Sequence, residues 1–174
     1  GARTFQTPTF RKPPESLEAA IDLVVTSIPL DRQDWILALD YGPEGDCYRP
    51  EEAPQSLSQS VAHHRDGIRA LNSSYLRKSL PDKGRANTIL WFETINSITE
   101  STAIAIASLL QKDIPLTISF VVRDDGHLLD GTPISEAVQE IQHAARSRSA
   151  PIFIGVNCCS SQGRDAAAHD LGSH

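Results

Sequence analysis

The chain has 174 residues, 40% hydrophobic and 22% charged, which suits one soluble domain with a real core and excludes a disordered polar chain. Its net charge is −6, and its basic residues are scattered singly or in pairs such as Arg11-Lys12 and Arg77-Lys78, so nucleic-acid binding has little electrostatic support. No apolar run approaches the ~20 residues that a membrane-spanning helix needs.

In chain order, Arg3-Thr4-Phe5-Gln6 reads as the tail of a strand and Thr7 to Pro14 as a proline-rich loop. Pro14-Glu15-Ser16 opens a helix with Leu17, Ala20, Ile21 and Val24 at helical spacing, ended by Pro29. Trp35 to Leu39 is a continuous apolar run, as in a strand buried on both faces. Asp40 to Pro54 is a loop rich in Gly, Pro and acids. Ser56 to Leu80 reads as a helix, with a break near Asn72-Ser73-Ser74. Thr88 to Phe92 is a second strand, ending on Glu93-Thr94. Ser97 to Gln111 is a helix capped by Ser97 or Thr99, with Ala103, Ile106, Ala107 and Leu110 inward. Leu116 to Val122 is a third strand, followed by a turn at Asp124-Asp125-Gly126-His127. Thr132 is expected to cap the next helix, with Pro133 at its first position and Arg146 at its end. Pro151 to Val156 is a fourth strand, followed by Asn157-Cys158-Cys159. Residues 161–174 read as a polar tail with no assigned element.

Apolar strands alternating with helices imply an α/β fold around a parallel sheet. An open doubly wound sheet and part of a (β/α) barrel both fit, and no G-x-G-x-x-G follows a strand. In either, ligands gather where strands end. Those ends deliver Asp40, Tyr41, Glu93, Thr94, Arg123, Asn157, Cys158 and Cys159, with Ser119 inside the third strand. A carboxylate, a thiol and small polar groups on one rim suit a small polar ligand. Cys47, Cys158 and Cys159 are the only cysteines, and an odd count with two adjacent argues against a disulfide framework. Gly1-Ala2-Arg3-Thr4 holds no apolar signal core, so a cytoplasmic protein is expected. Met is absent even at position 1, so Gly1 reads as a processed start or a cloning remnant.

Four segments come in a telling order: Trp91-Phe92-Glu93-Thr94-Ile95, Ile118-Ser119-Phe120, Asp130-Gly131-Thr132 and Gly155-Val156-Asn157-Cys158. Together they resemble the homocysteine S-methyltransferases. Thr4-Phe5-Gln6, the Leu39 to Gly45 loop and His64-Arg65 are weaker matches, and the likeness runs over about residues 3 to 160. The resemblance implies an incomplete (β/α)8 TIM-type barrel, from the second strand to the sixth, with residues 1–160 as a partial homocysteine-binding domain. It implies zinc held by three thiolates, which keeps a substrate thiol deprotonated. Cys158 would be its first ligand, and Glu93 would hold the amino group of an amino-acid substrate, with Thr94, Ser119 and Asn157 beside it. The family's paired cysteines near the eighth strand have no counterpart, since Cys159 follows the wrong strand. A substitute site from Cys47, Cys158 and Cys159 would have to span strands set apart around the barrel mouth.

Simpler readings stand beside these. Cys158 can be a relic thiol, and Glu93 a residue capping the next helix. His63-His64 lies mid-helix without a second metal-type cluster, which favours solvation or helix packing. A partial barrel exposes two strand edges and an apolar interior, so a homo-oligomer or a covering partner protein is expected, with neither nucleic acid nor membrane as partner. Two functions follow. One is a truncated, catalytically impaired relative, a pseudoenzyme that binds a small thiol or amino acid or serves as a subunit. The other is an active zinc-dependent S-methyltransferase completed by oligomerisation.

Overall fold

The computed structural model describes residues 36–70 and 88–172. The expected strand at Thr4 to Gln6, the helix from Glu15 to Val24 and the break near Asn72 lie outside them. Four parallel strands, β1 (Leu37–Tyr41), β2 (Thr88–Ile95), β3 (Leu116–Phe120) and β4 (Ile152–Val156), pair in the order β1-β2-β3-β4. The helices are α1 (Leu57–Ala70), α2 (Ile98–Ala107, continued by a 3-10 turn at Ser108–Gln111), α3 (Ile134–Ala144) and α4 (Ser161–Gly172). Sequential order without a reversal is the winding of a barrel; a doubly wound sheet reverses direction at a switch point.

The helices sit side by side, α1 on α2, α2 on α3 and α3 on α4. They cover the face carrying Leu39, Tyr41, Leu90, Phe92, Ile118 and Phe120, which form one core with Ile68, Ile104, Ile134 and Ile141. Each such side chain, once fully buried, contributes roughly 1.5–3 kcal/mol. On the opposite face Trp91, Thr117 and Phe153 share one rung of the ladder. Here Ile36 is 74% exposed, Phe153 51% and Trp91 38%. Only β3 is buried along its whole length, whereas β2 buries Leu90 and Phe92 and exposes Trp91 between them. The continuous apolar runs therefore overstate two-sided burial, because among the described residues helices cover one side only. The barrel is not closed.

Pairing, not hydropathy, sets the strand ends. β1 runs on through Asp40 and Tyr41 because these pair with Trp91 and Phe92. β3 stops at Phe120, and Val122 instead makes an antiparallel bridge with Leu128. Ser97 caps α2, accepting the Glu100 N–H at 3.4 Å. Thr132 does not cap α3. Pro133 takes the cap position itself, and the Thr132 N–H donates to Asp130 Oδ1 at 2.9 Å.

Residues 161–172 form α4, whose buried face is Gly163 and Ala167. Its docking depends on small residues. A Cβ on Gly163 would lie 2.5 Å from the Arg123 carbonyl oxygen, and one on Gly126 (φ +83°) 2.7 Å from Ala167 N. Gly163→Ala should therefore cost about 1–3 kcal/mol and raise protease cleavage in α4. Gly172→Ala, at the same helix's open end, should change stability by less than about 0.5 kcal/mol. Equal unfolding midpoints for the two variants would show that α4 does not dock through Gly163.

Candidate functional site

The rim at the carboxyl ends of the strands is built on a bulge. Phe92 pairs with Ile118 and Ile95 with Phe120, so Glu93 and Thr94 together face Ser119 alone. An extra residue of this kind twists a strand and re-aims its side chains. Thr94 takes up the irregularity with φ 58°, and Cys158, at the end of β4, has φ 52°. Left-handed backbone is costly for a β-branched residue and persists only where its surroundings hold it. Here the Thr94 N–H donates to Asn157 Oδ1 at 3.2 Å, and the Asn157 N–H to the Phe120 carbonyl at 2.8 Å. The rims of β2 and β4 are thereby tied across β3. Gly155 leaves room for Ser119, since a Cβ there would lie 3.1 Å from Ser119 Oγ. Glu93, Thr94, Ser119, Asn157 and Cys158 thus all sit at this end of the sheet.

The loop after β1 folds back over the rim. Asn96, buried at the end of β2, donates from Nδ2 to the carbonyls of Asp46 and Cys47 at 3.3 and 3.2 Å. The Glu44 N–H donates to Glu100 Oε1 at 2.7 Å. Below the loop, His64 Nε2 lies 3.4 Å from Glu44 Oε1 and 3.2 Å from Glu100 Oε1, and the Ser60 hydroxyl donates to Glu44. His64 is therefore neither solvated nor simply packed. Sequence reading missed this cluster because its carboxylates come from a loop and from another helix. Burial in the same region holds the Tyr41 phenol far above its ordinary range, and its ring stacks on Phe92 at 4.9 Å.

Loop and rim enclose a pocket of about 540 Å³, lined by Glu44, Gly45, Asp46, Cys47, Tyr48, Glu52, Thr94 and Cys158. Cys47 follows β1 and Cys158 follows β4, the first and last of the four described strands, and the loop brings both to one cavity. Cys159 does not line it but packs against the core. Lining carboxylates and the absence of Lys or Arg among the described lining residues suit an ammonium or a neutral polar group better than an anion. The three thiols do not form a metal ligand set: among the described residues, Glu44, His64 and Glu100 are the only group of three or more with donor atoms close enough. A three-thiolate zinc centre is not what these cysteines fit.

A sequence model of the homocysteine S-methyltransferase family matches residues 1–172. Two crystal structures of the homocysteine methyltransferase MmuM from Escherichia coli are similar in fold. The apo form has 23% identity and a TM-score of 0.59, covering 92% of this chain and 53% of that one. The metallated form has 22% identity and a TM-score of 0.64, covering 92% and 55%. The chain thus spans about half the length of the solved structures it matches, as an arc of their barrel. No curated protein matches its sequence significantly.

The thiols differ in exposure: Cys158 is exposed, while Cys47 and Cys159 are half-buried. Cys158 should react first with a thiol reagent. Asn96→Ala removes two loop anchors, each worth about 1 kcal/mol, and should speed Cys47 labelling on the order of tenfold without changing Cys158. An unchanged Cys47 rate would show that Asn96 does not hold the loop.

Proposed function

The chain belongs to the homocysteine S-methyltransferase family, and on that premise we propose that it is a homocysteine-methyltransferase-like domain that binds a small amino-acid thiol at its rim without carrying out methyl transfer by itself. One observation carries this reading. Thr94 and Cys158, from two separate family-like segments, line one pocket with acidic groups, while the thiols beside them do not complete a ligand trio. In this reading Glu93, which stands on the rim next to Thr94 but is not among the lining residues of the pocket, receives the substrate ammonium, with Thr94, Ser119 and Asn157 fixing the strand ends around it. Cys158 offers one exposed thiol to the cavity. Without a metal to hold the substrate sulfur as thiolate, most of it stays protonated near neutral pH and is a poor nucleophile.

A second reading is an active S-methyltransferase, zinc-dependent and completed by another copy or a partner protein. The exposed Ile36, Trp91 and Phe153 on the uncovered face favour it, because such a surface suits an interface. Both readings make a small thiol the ligand and differ on turnover.

Calorimetric titration of the full chain with homocysteine, paired with a methyl-transfer assay, separates them. Saturable binding is expected, weakened roughly 10- to 100-fold by Glu93→Gln, which removes one charge-assisted hydrogen bond of about 1.5–3 kcal/mol. No methyl transfer is expected from the isolated chain with zinc present. Absence of homocysteine binding would sink both readings, and turnover that rises with protein concentration would establish the second.

A further inference from the structure

We propose that Glu44, His64 and Glu100 form a binding site for a divalent cation of the zinc class, separate from the cysteines, which clamps the rim loop onto α1 and α2. The three donor atoms lie within 4.8 Å of one another. His64 Nε2 is 3.4 Å from Glu44 Oε1 and 3.2 Å from Glu100 Oε1. Metal–ligand distances of about 2.0–2.1 Å at tetrahedral angles place neighbouring donors roughly 3.3–3.4 Å apart. The imidazole therefore already stands at zinc-site spacing from both carboxylates, and closing the two carboxylates from within 4.8 Å of each other would complete three corners and leave a fourth for water. One imidazole with two carboxylates is a donor set suited to zinc or a similar transition metal, and too nitrogen-bearing to favour magnesium or calcium.

Charge points the same way. The Glu100 side chain is 0% exposed and that of His64 4%, and His64 is the only basic side chain paired with either carboxylate among the described residues. Even with His64 protonated, the two carboxylates leave one net negative charge at a site that only Glu44 opens to solvent, which is costly. A divalent cation with neutral imidazole brings that sum to zero. An independent feature also calls for a ligand: Glu100 Oε2 is buried and has no hydrogen-bond partner among the described residues. A metal held through Oε1 would take this second oxygen of the same carboxylate as well, giving it the partner it lacks.

The surroundings fix the ligands. The His64 ring stands edge-on to Phe92, with centroids 5.5 Å apart, and the Ser60 hydroxyl holds Glu44. Glu44 is the most open of the three, its side chain 20% exposed, and it also lines the rim pocket. An ion would reach the cluster from that side, and its binding would order the loop that carries Cys47.

This site does not depend on the thiol-binding reading, and one experiment distinguishes them. The full chain, stripped with a chelator, is titrated with zinc chloride in wild-type form, as Cys47→Ser/Cys158→Ser/Cys159→Ser, and as His64→Gln. One zinc per chain is expected for the wild type and the triple serine variant, with affinity at least 100-fold weaker in His64→Gln. Glu44→Gln, at the open edge of the cluster, supplies a variant that leaves the buried pair intact and should weaken zinc at least 10-fold. Cobalt in place of zinc should show no thiolate-to-metal charge-transfer band. Excess magnesium should not displace the ion. Failure of the wild type to take up zinc, loss of uptake in the triple serine variant, or full uptake in Glu44→Gln would each overturn the proposal.

Discussion

Parallel pairing in strict chain order is the constraint from which the rest of the molecule follows. Each crossover advances in the same sense, so all four described strands end on the same rim and the described helices lie on the same face. A reversal anywhere would have placed helices on both faces and split the rim at a crevice. Without one, Glu93, Ser119 and Asn157 are delivered side by side from consecutive strands, whatever their separation in sequence. The same winding leaves Trp91 and Phe153 on a face that no described helix covers. Site and open surface are two consequences of one topology.

The rim then needs closing from above, and buried polar groups do this. Asn96 and Glu100 are both almost wholly buried, and both act on the loop after β1, one through the carbonyls of Asp46 and Cys47, the other through the Glu44 N–H. Burying such groups is costly unless they are bonded, so the loop must take this conformation or strand them. Because the loop is pinned at the end of β2, it reaches from the end of β1 towards Cys158 at the end of β4. The pocket belongs as much to these anchors as to the residues that line it.

Legibility in the sequence divides along the same line. Strands and helices announced themselves by apolar runs and helical spacing, and their alternation pointed to a parallel sheet. Glu93, Thr94, Ser119, Asn157 and Cys158 were visible because a residue just past an apolar strand lies on the rim in any α/β fold. What was hidden depends on long-range contact. No pattern near His64 discloses Glu44 in a loop or Glu100 on the next helix. Nor does any local signal put Cys47 and Cys158 on one cavity, since strand positions alone set them apart. The helix at residues 161–172 was hidden for a different reason: its docking face is Gly163 and Ala167, too small to register as an apolar stripe. Hydropathy detects faces that bury large side chains and is silent where close approach requires small ones.

Thiol chemistry and carboxylate–imidazole chemistry are consequently held in different layers. Cys158 projects from a strand end toward the cavity, on backbone held in the left-handed region, and is open to solvent. Glu100 and His64 belong to the helix layer, where the core excludes water. A soft thiol at an open rim can meet an incoming small molecule, whereas a buried imidazole with carboxylates cannot, because the loop covers it. Among the described residues, Glu44 is the one that belongs to both the cluster and the pocket lining. Through it, whatever occupies the buried cluster sets the order of the loop, and the loop sets the shape of the cavity that Cys158 faces. The helix layer therefore acts on the rim by fixing its lid, and any reaction or binding at the thiol takes place in a space whose outer wall is held from behind.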